Sequence, residues 1–206
     1  MALIGLAALV AATAVLVYAQ DGEKTAAAQA KDKPAVSVPD RLPEPPSKAK
    51  SAGGHGPEVL YDATALPEPV QRLLREMILA AQSGDIDKMR LVVELSELKP
   101  MVAAEHVPDP VAYWKEQSVD GSGRDVLAAI LNLLNSGFVL TGKGYGAMYV
   151  WPYFAEADLT KLTPQQEVEL YRIVPPERAK AMKETGKYTY YRLGVSPTGV
   201  WHYFLE

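Results

Sequence analysis

Residues 137–144, GFVLTGKG, satisfy G-x-x-x-x-G-K but end on Gly144, where a phosphate-binding loop carries the hydroxyl that holds its metal. The residues that follow read as a strand, whereas bound phosphates need a helix N-terminus beneath them. A hairpin turn is the expectation. DGSGRD, residues 120–125, opens like a calcium loop, yet Arg124 stands where an oxygen ligand is needed and the twelfth position is Leu131 rather than an acid. It reads as a loop leading into a capped helix. The three histidines, at 55, 106 and 202, have no second histidine at helix-face spacing, so no metal site and no cofactor are expected. Gly194-Val195-Ser196-Pro197 is a turn rather than a nucleophile elbow. Acid pairs such as Glu105 with Asp109, or Glu156 with Asp158, carry no meaning without geometry. With no cysteine in the chain, thiol nucleophiles, disulfides and thiolate metal sites are excluded.

The residues that remain are aromatic. In AMYVWPYF, residues 147–154, strand alternation puts Tyr149, Trp151 and Tyr153 on one face and Met148, Val150, Pro152 and Phe154 on the other. The first set carries polar tips and suits a sheet face that is partly wet or touches a ligand. Tyr188, Tyr190 and Arg192 share a face in a second strand, and the guanidinium offers a planar donor to a carboxylate. In VWHYFL, alternation groups Val200, His202 and Phe204 against Trp201, Tyr203 and Leu205. The candidate ligand-binding residues are therefore Tyr149, Trp151, Tyr153, Tyr188, Tyr190, Arg192 and His202. The competing expectation is that helices cover both sheet faces and the tyrosines complete the core.

The elements that must position these residues read as α+β. Leu66, Val70, Leu73, Leu74, Met77 and Ala81 follow helical spacing up to Ser83-Gly84, and Asp85 starts a second helix with Ile86, Met89, Val92 and Val93 inside. The pair over 68–98 is expected to be an antiparallel helical hairpin. Asp109-Pro110 caps a short helix through Trp114, and a helix over 124–135 is apolar on nearly every side, as a central buried helix would be. A hairpin follows, Phe138 to Thr141 and Ala147 to Phe154. Because Pro152 has no N–H to donate, the second of these strands is expected at an edge or with a bulge. Thr163, Pro164 and Gln166 make a capping signature, and a further helix ends near Gly186. Strands Tyr188–Gly194 and Val200–Leu205 flank the turn Ser196-Pro197-Thr198-Gly199. The expected fold is a helical hairpin and a central helix packed on an antiparallel sheet of two β-hairpins. The helix, Ser-Gly-Asp turn and helix over 68–95 are similar to the start of NTF2-like domains. The helices between the two hairpins depart from that pattern, so nothing is carried over from it.

Residues 1–19, MALIGLAALVAATAVLVYA, contain no charged side chain and close on Val17-Tyr18-Ala19, with small residues at the positions signal peptidase reads. A signal peptide cleaved after Ala19 is the first expectation. A retained membrane anchor is the alternative, since the run is long enough to span a bilayer and lacks a basic start. Residues 20–58 hold six acids, six bases and six prolines with almost no large apolar residue, the composition of a disordered Pro/Ala/Lys-rich linker. One globular domain is expected over 59–206. It carries 19 of the 25 acids and 15 of the 21 bases, hence the whole net charge of −4, which disfavours a nucleic-acid partner.

Together these features lead to an expectation of a periplasmic or secreted, envelope-associated, non-catalytic binding or accessory domain. Its partner would be an envelope polymer or protein, with the membrane involved only if 1–19 is retained. A metal-independent envelope hydrolase using an acid with His202 or Arg192, and a structural or oligomerisation domain, are the alternatives.

Overall fold

A computed structural model describes residues 58–206, so the expected signal or anchor segment and nearly all of the linker lie outside the described residues. The fold is α+β, with six α-helices and a five-stranded antiparallel sheet among the described residues. Chain order is β1 (Val59–Leu60), α1 (Glu68–Gln82), α2 (Met89–Leu95), α3 (Pro110–Gln117), α4 (Arg124–Leu134), β2 (Phe138–Thr141), β3 (Met148–Trp151), α5 (Pro164–Ile173), α6 (Pro176–Thr185), β4 (Arg192–Val195) and β5 (Trp201–Leu205). Among the described residues no helix is long and apolar enough to cross a membrane.

Local chemistry sets most boundaries. Asp85 caps the turn into α2 by accepting from the Asp87 amide. Asp109 accepts from the amides of Val111 and Ala112 at the start of α3, with Pro110 at its first position. The Ala112 amide and then the Arg90 guanidinium hold the Asp109 carboxyl below its usual range. Thr163 and Gln166 form a complete capping box on α5, and α6 stops at Gly186 in the left-handed region. The Ser196–Gly199 turn closes with the Gly199 amide donating to the Ser196 carbonyl.

Strand order follows chain order, β1-β2-β3-β4-β5, with β2–β3 and β4–β5 as hairpins. The two-residue edge strand β1, pairing Val59 with Val139, is an addition to the two expected hairpins. Contrary to the expected edge position, β3 is central and pairs on both sides. It ends at Trp151, so the N–H that Pro152 lacks falls beyond the ladder, and the chain turns into a 3-10 helix at Tyr153–Glu156. Likewise Tyr188 and Tyr190 precede β4 rather than forming part of it.

Helices cover the sheet from both sides. Toward α1–α4, Phe138, Trp151, Leu193, Val195, Trp201 and Phe204 join Val70, Met77, Val92, Trp114 and Ile130 in one core. Toward α5 and α6, Val139, Val150, Phe154 and Tyr188 pack with Leu170, Ala179 and Met182 in a second. The helix α4 buries Val126, Leu127, Ile130 and Leu133, while Leu131 and Leu134 are only half-buried, so it is amphipathic rather than apolar all round. No residue of β4 or β5 belongs to the second core, although Arg178 of α6 reaches the Glu206 carboxylate just beyond β5. On this side of the sheet β4 and β5 present exposed Arg192, buried Gly194 and half-buried Tyr203.

Candidate functional site

The expected aromatic platform separates into buried and open parts. Trp151 is 1% exposed and stacks on Phe138 at 4.7 Å, and Tyr149 is half-buried at the rim of the same core. Tyr153 does not share their face. Once the chain leaves β3 at Pro152, the Tyr153 ring crosses to the other core, where it is 2% exposed and donates its hydroxyl to Glu169 Oε2 at 3.2 Å. Tyr188 is buried as well, with its hydroxyl donating to the Tyr191 carbonyl at 2.9 Å. Burial pushes both phenols up from their ordinary value, Tyr153 with added repulsion from the Glu169 charge. Tyr190 is half-buried beneath the Arg178 guanidinium, 5.2 Å from the ring centre. These rings do not converge on one open groove.

A β-bulge changes the expected faces of β5. Val195 pairs with Trp201 and Gly194 with Tyr203, leaving His202 as the extra residue. Trp201 and Phe204 therefore both enter the core beneath α1–α4, and Trp201 stacks on Trp114 at 5.8 Å. Tyr203 goes to the opposite face, where it is half-buried. The expected grouping of His202 with Phe204, and of Trp201 with Tyr203, is overturned by this one residue, since strict alternation holds only along an unbroken ladder.

This face is built around Gly194. A side chain there would occupy the space of the Tyr203 ring and would lie 2.6 Å from Met148 Sδ, so only glycine lets the Tyr203 ring pack against β4. Two residues earlier on the same face stands Arg192, exposed and opposite Leu205. Arg192 makes no ion pair among the described residues. Burial raises the Tyr203 phenol above its ordinary value, and the Arg192 charge opposes the shift. The result is a half-buried ring on the same sheet face as an exposed guanidinium. Reasoning from strand alternation missed Tyr203. The signal was Gly194, an isolated glycine inside a strand, which marks a bulge or a close approach.

His202 faces elsewhere, into a cleft of about 360 Å³ between β5 and the loop after α2. Leu98, Met101 and Val107 supply apolar walls, and Glu105 and His106 line the same cleft. The loop is pinned to β5 by the Met101 amide donating to the His202 carbonyl and the Phe204 amide donating to the Met101 carbonyl, each at 2.9 Å. The His202 imidazole makes no hydrogen bond with a carboxylate among the described residues. No three His, Asp or Glu side chains converge as a metal site among those residues. Nearby, Leu91, Leu95, Leu98 and Met101 are 54–68% exposed, an unusual density of large apolar side chains within eleven residues.

A third feature was also missed from the sequence. Glu169 Oε2 accepts from the hydroxyls of Tyr61 at 3.0 Å and Tyr153 at 3.2 Å, and its Oε1 accepts from the Gly137 amide at 3.1 Å. The three donors come from the segment after β1, the entry to β2 and the exit from β3, so the carboxylate ties α5 to the sheet. Its oxygens are occupied by neutral donors, an arrangement suited to holding layers together. Comparison of the chain with protein-family models, with curated proteins and with solved structures finds no match.

Proposed function

We propose that this chain is an exported, envelope-associated binding module, non-catalytic, that holds an extended envelope polymer on the β4–β5 face. The single observation that carries the reading is the Tyr203 ring packed over Gly194 on the same face as Arg192, which is exposed and makes no ion pair among the described residues. An aromatic face and a planar donor on rigid strands can bind a ligand with little ordering cost. Export rests on the apolar, uncharged residues 1–19 and on the proline-rich spacer after them. Trp151, Tyr153 and Tyr188 belong to the framework of this surface, because their rings are inside the two cores.

The test is co-sedimentation of the full chain with an insoluble envelope-polymer fraction, comparing the wild type with the double variant Tyr203→Ala and Arg192→Ala. Retention should fall in the double variant and in Arg192→Ala alone, with folding of each checked by a cooperative unfolding transition. Equal retention of a folded double variant refutes the reading.

A second reading is supported by the cleft that gathers Glu105, His106 and His202: metal-independent hydrolysis of an envelope polymer, with His202 as base. It requires activity that survives chelation and disappears in His202→Gln. Activity unchanged by that substitution removes the reading.

A further inference from the structure

We infer that residues 59–61 are a guard strap on the β2 edge of the sheet, latched by Tyr61 on Glu169, and that releasing the strap lets two copies of the chain pair through β2. This device goes beyond the binding reading above and does not depend on it.

A sheet edge left with unpaired N–H and C=O groups is a template for another strand, and folded chains keep such edges short or covered. Among the described residues both edges of this sheet are covered in part. At β5 the covering residue is Met101, whose amide donates to the His202 carbonyl and whose carbonyl accepts from the Phe204 amide. At β2 it is β1, only two residues long, which pairs Val59 with Val139 and Leu60 with Phe138. Phe138 and Val139 are each 1% exposed, one in each core. The strap follows them, with Leu60 packed on the first core and Val59 on the second.

The strap is held less firmly than the other strands. Each of β2, β3, β4 and β5 contributes at least one buried residue, whereas Val59, Leu60 and Tyr61 are all half-buried. Asp62, Ala63, Thr64 and Ala65 are exposed, and the next buried side chain is Leu66. What closes the strap is the Tyr61 hydroxyl, donating to Glu169 Oε2 at 3.0 Å, and the Tyr61 ring, which meets Tyr153 edge-on at 6.5 Å. Gly137 makes room for this latch, since a Cβ there would lie 2.8 Å from Tyr61 Cε1. An element with a short ladder and few buried contacts opens locally before the domain unfolds. The edge it vacates is Phe138–Thr141, four residues of which β1 pairs only two. Antiparallel pairing of a strand with its own copy is two-fold symmetric, so a second copy supplies an edge of matching length and pattern. Leu140, 44% exposed and without a β1 partner, lies on that junction.

The test uses the full chain in sedimentation velocity over a range of concentrations. Tyr61→Ala should self-associate at least about tenfold more tightly than the wild type, the factor expected for one lost hydrogen bond to a charged group. A disulfide between Val59→Cys and Val139→Cys supplies a switch, because the chain has no cysteine of its own. Opposed antiparallel Cα atoms lie about 4.5–5.5 Å apart, within disulfide range. Added to Tyr61→Ala, the closed disulfide should return association to the wild-type level, and its reduction should restore it. Leu140→Lys added to Tyr61→Ala should also suppress association, since lysine on an edge blocks strand pairing. If Tyr61→Ala does not fold, hydrogen exchange of the wild type decides. Amides bonded across β1 and β2 should then exchange at least about tenfold faster than those across β3 and β4, with a smaller urea dependence. Equal rates with equal urea dependence overturn the strap. So does a folded Tyr61→Ala variant no more associated than the wild type, or association untouched by closing the disulfide or by Leu140→Lys.

Discussion

Removing the Glu169 carboxylate should be among the most damaging single changes away from the purely apolar core. In Glu169→Ala the Tyr153 hydroxyl, on a residue 2% exposed, and the amide of buried Gly137 lose their acceptor, while half-buried Tyr61 can turn toward water. A buried donor left without a partner costs about 1–3 kcal/mol, so two such donors and a smaller loss at Tyr61 sum to about 3–5 kcal/mol. Glu169→Gln keeps one acceptor oxygen and turns an NH2 toward a donor, for a loss of about 1–2 kcal/mol. Tyr153→Phe removes one donor and leaves the carboxylate two others, costing about 1 kcal/mol. The assay is urea unfolding followed by the fluorescence of Trp114, Trp151 and Trp201, with a double-mutant cycle between positions 169 and 153. A coupling energy of about 1 kcal/mol or more is expected. A Glu169→Ala loss below about 1 kcal/mol, or strict additivity with Tyr153→Phe, would refute the claim that this carboxylate ties α5 to the sheet.

Three further outcomes follow from the same geometry. Burial holds the phenols of Tyr61, Tyr153, Tyr188 and Tyr191 above their ordinary value of 10.0, so the unfolded chain releases those protons first. Their contribution is fully present below pH 10 and is lost as pH rises through the folded values, so urea midpoints should fall above pH 10, with tyrosinate absorbance appearing late in the folded protein. A midpoint independent of pH across that range contradicts it. Gly194→Ala should cost about 1–3 kcal/mol by driving the new methyl into the Tyr203 ring, and part of the loss should return in the double variant with Tyr203→Ala; a neutral Gly194→Ala contradicts the close approach. Leu91→Gln with Leu95→Gln, at positions 68% and 61% exposed, should leave the midpoint within about 0.5 kcal/mol, whereas a larger loss would mean that these leucines are covered by something in solution.

Much of the fold was legible because its signals are local. The caps at Asp109 and at Thr163 with Gln166, the stop at Gly186 and the turn from Ser196 to Gly199 each depend on residues a few positions apart. Less of the candidate site was legible. Strand alternation identifies Arg192, but it groups Tyr203 with Trp201 because it presumes an unbroken strand, and the bulge at His202 separates them. Alternation also offers Trp151, Tyr153 and Tyr188 to a wet face, whereas they are buried because α1–α4 and α5 with α6 cover the sheet there.

The order and type of most elements and the exclusion of thiol chemistry are already written in the chain, since hydrophobic period, capping and residue inventory act over one or two turns. Which rings enter the two cores, the gathering by Glu169 of a donor 108 residues away in Tyr61, and the seating of Gly194 beneath the Tyr203 ring arise only on folding. These depend on how far helices extend across strands and on pairings between distant segments. One extra residue in a ladder is enough to move a side chain from one sheet face to the other.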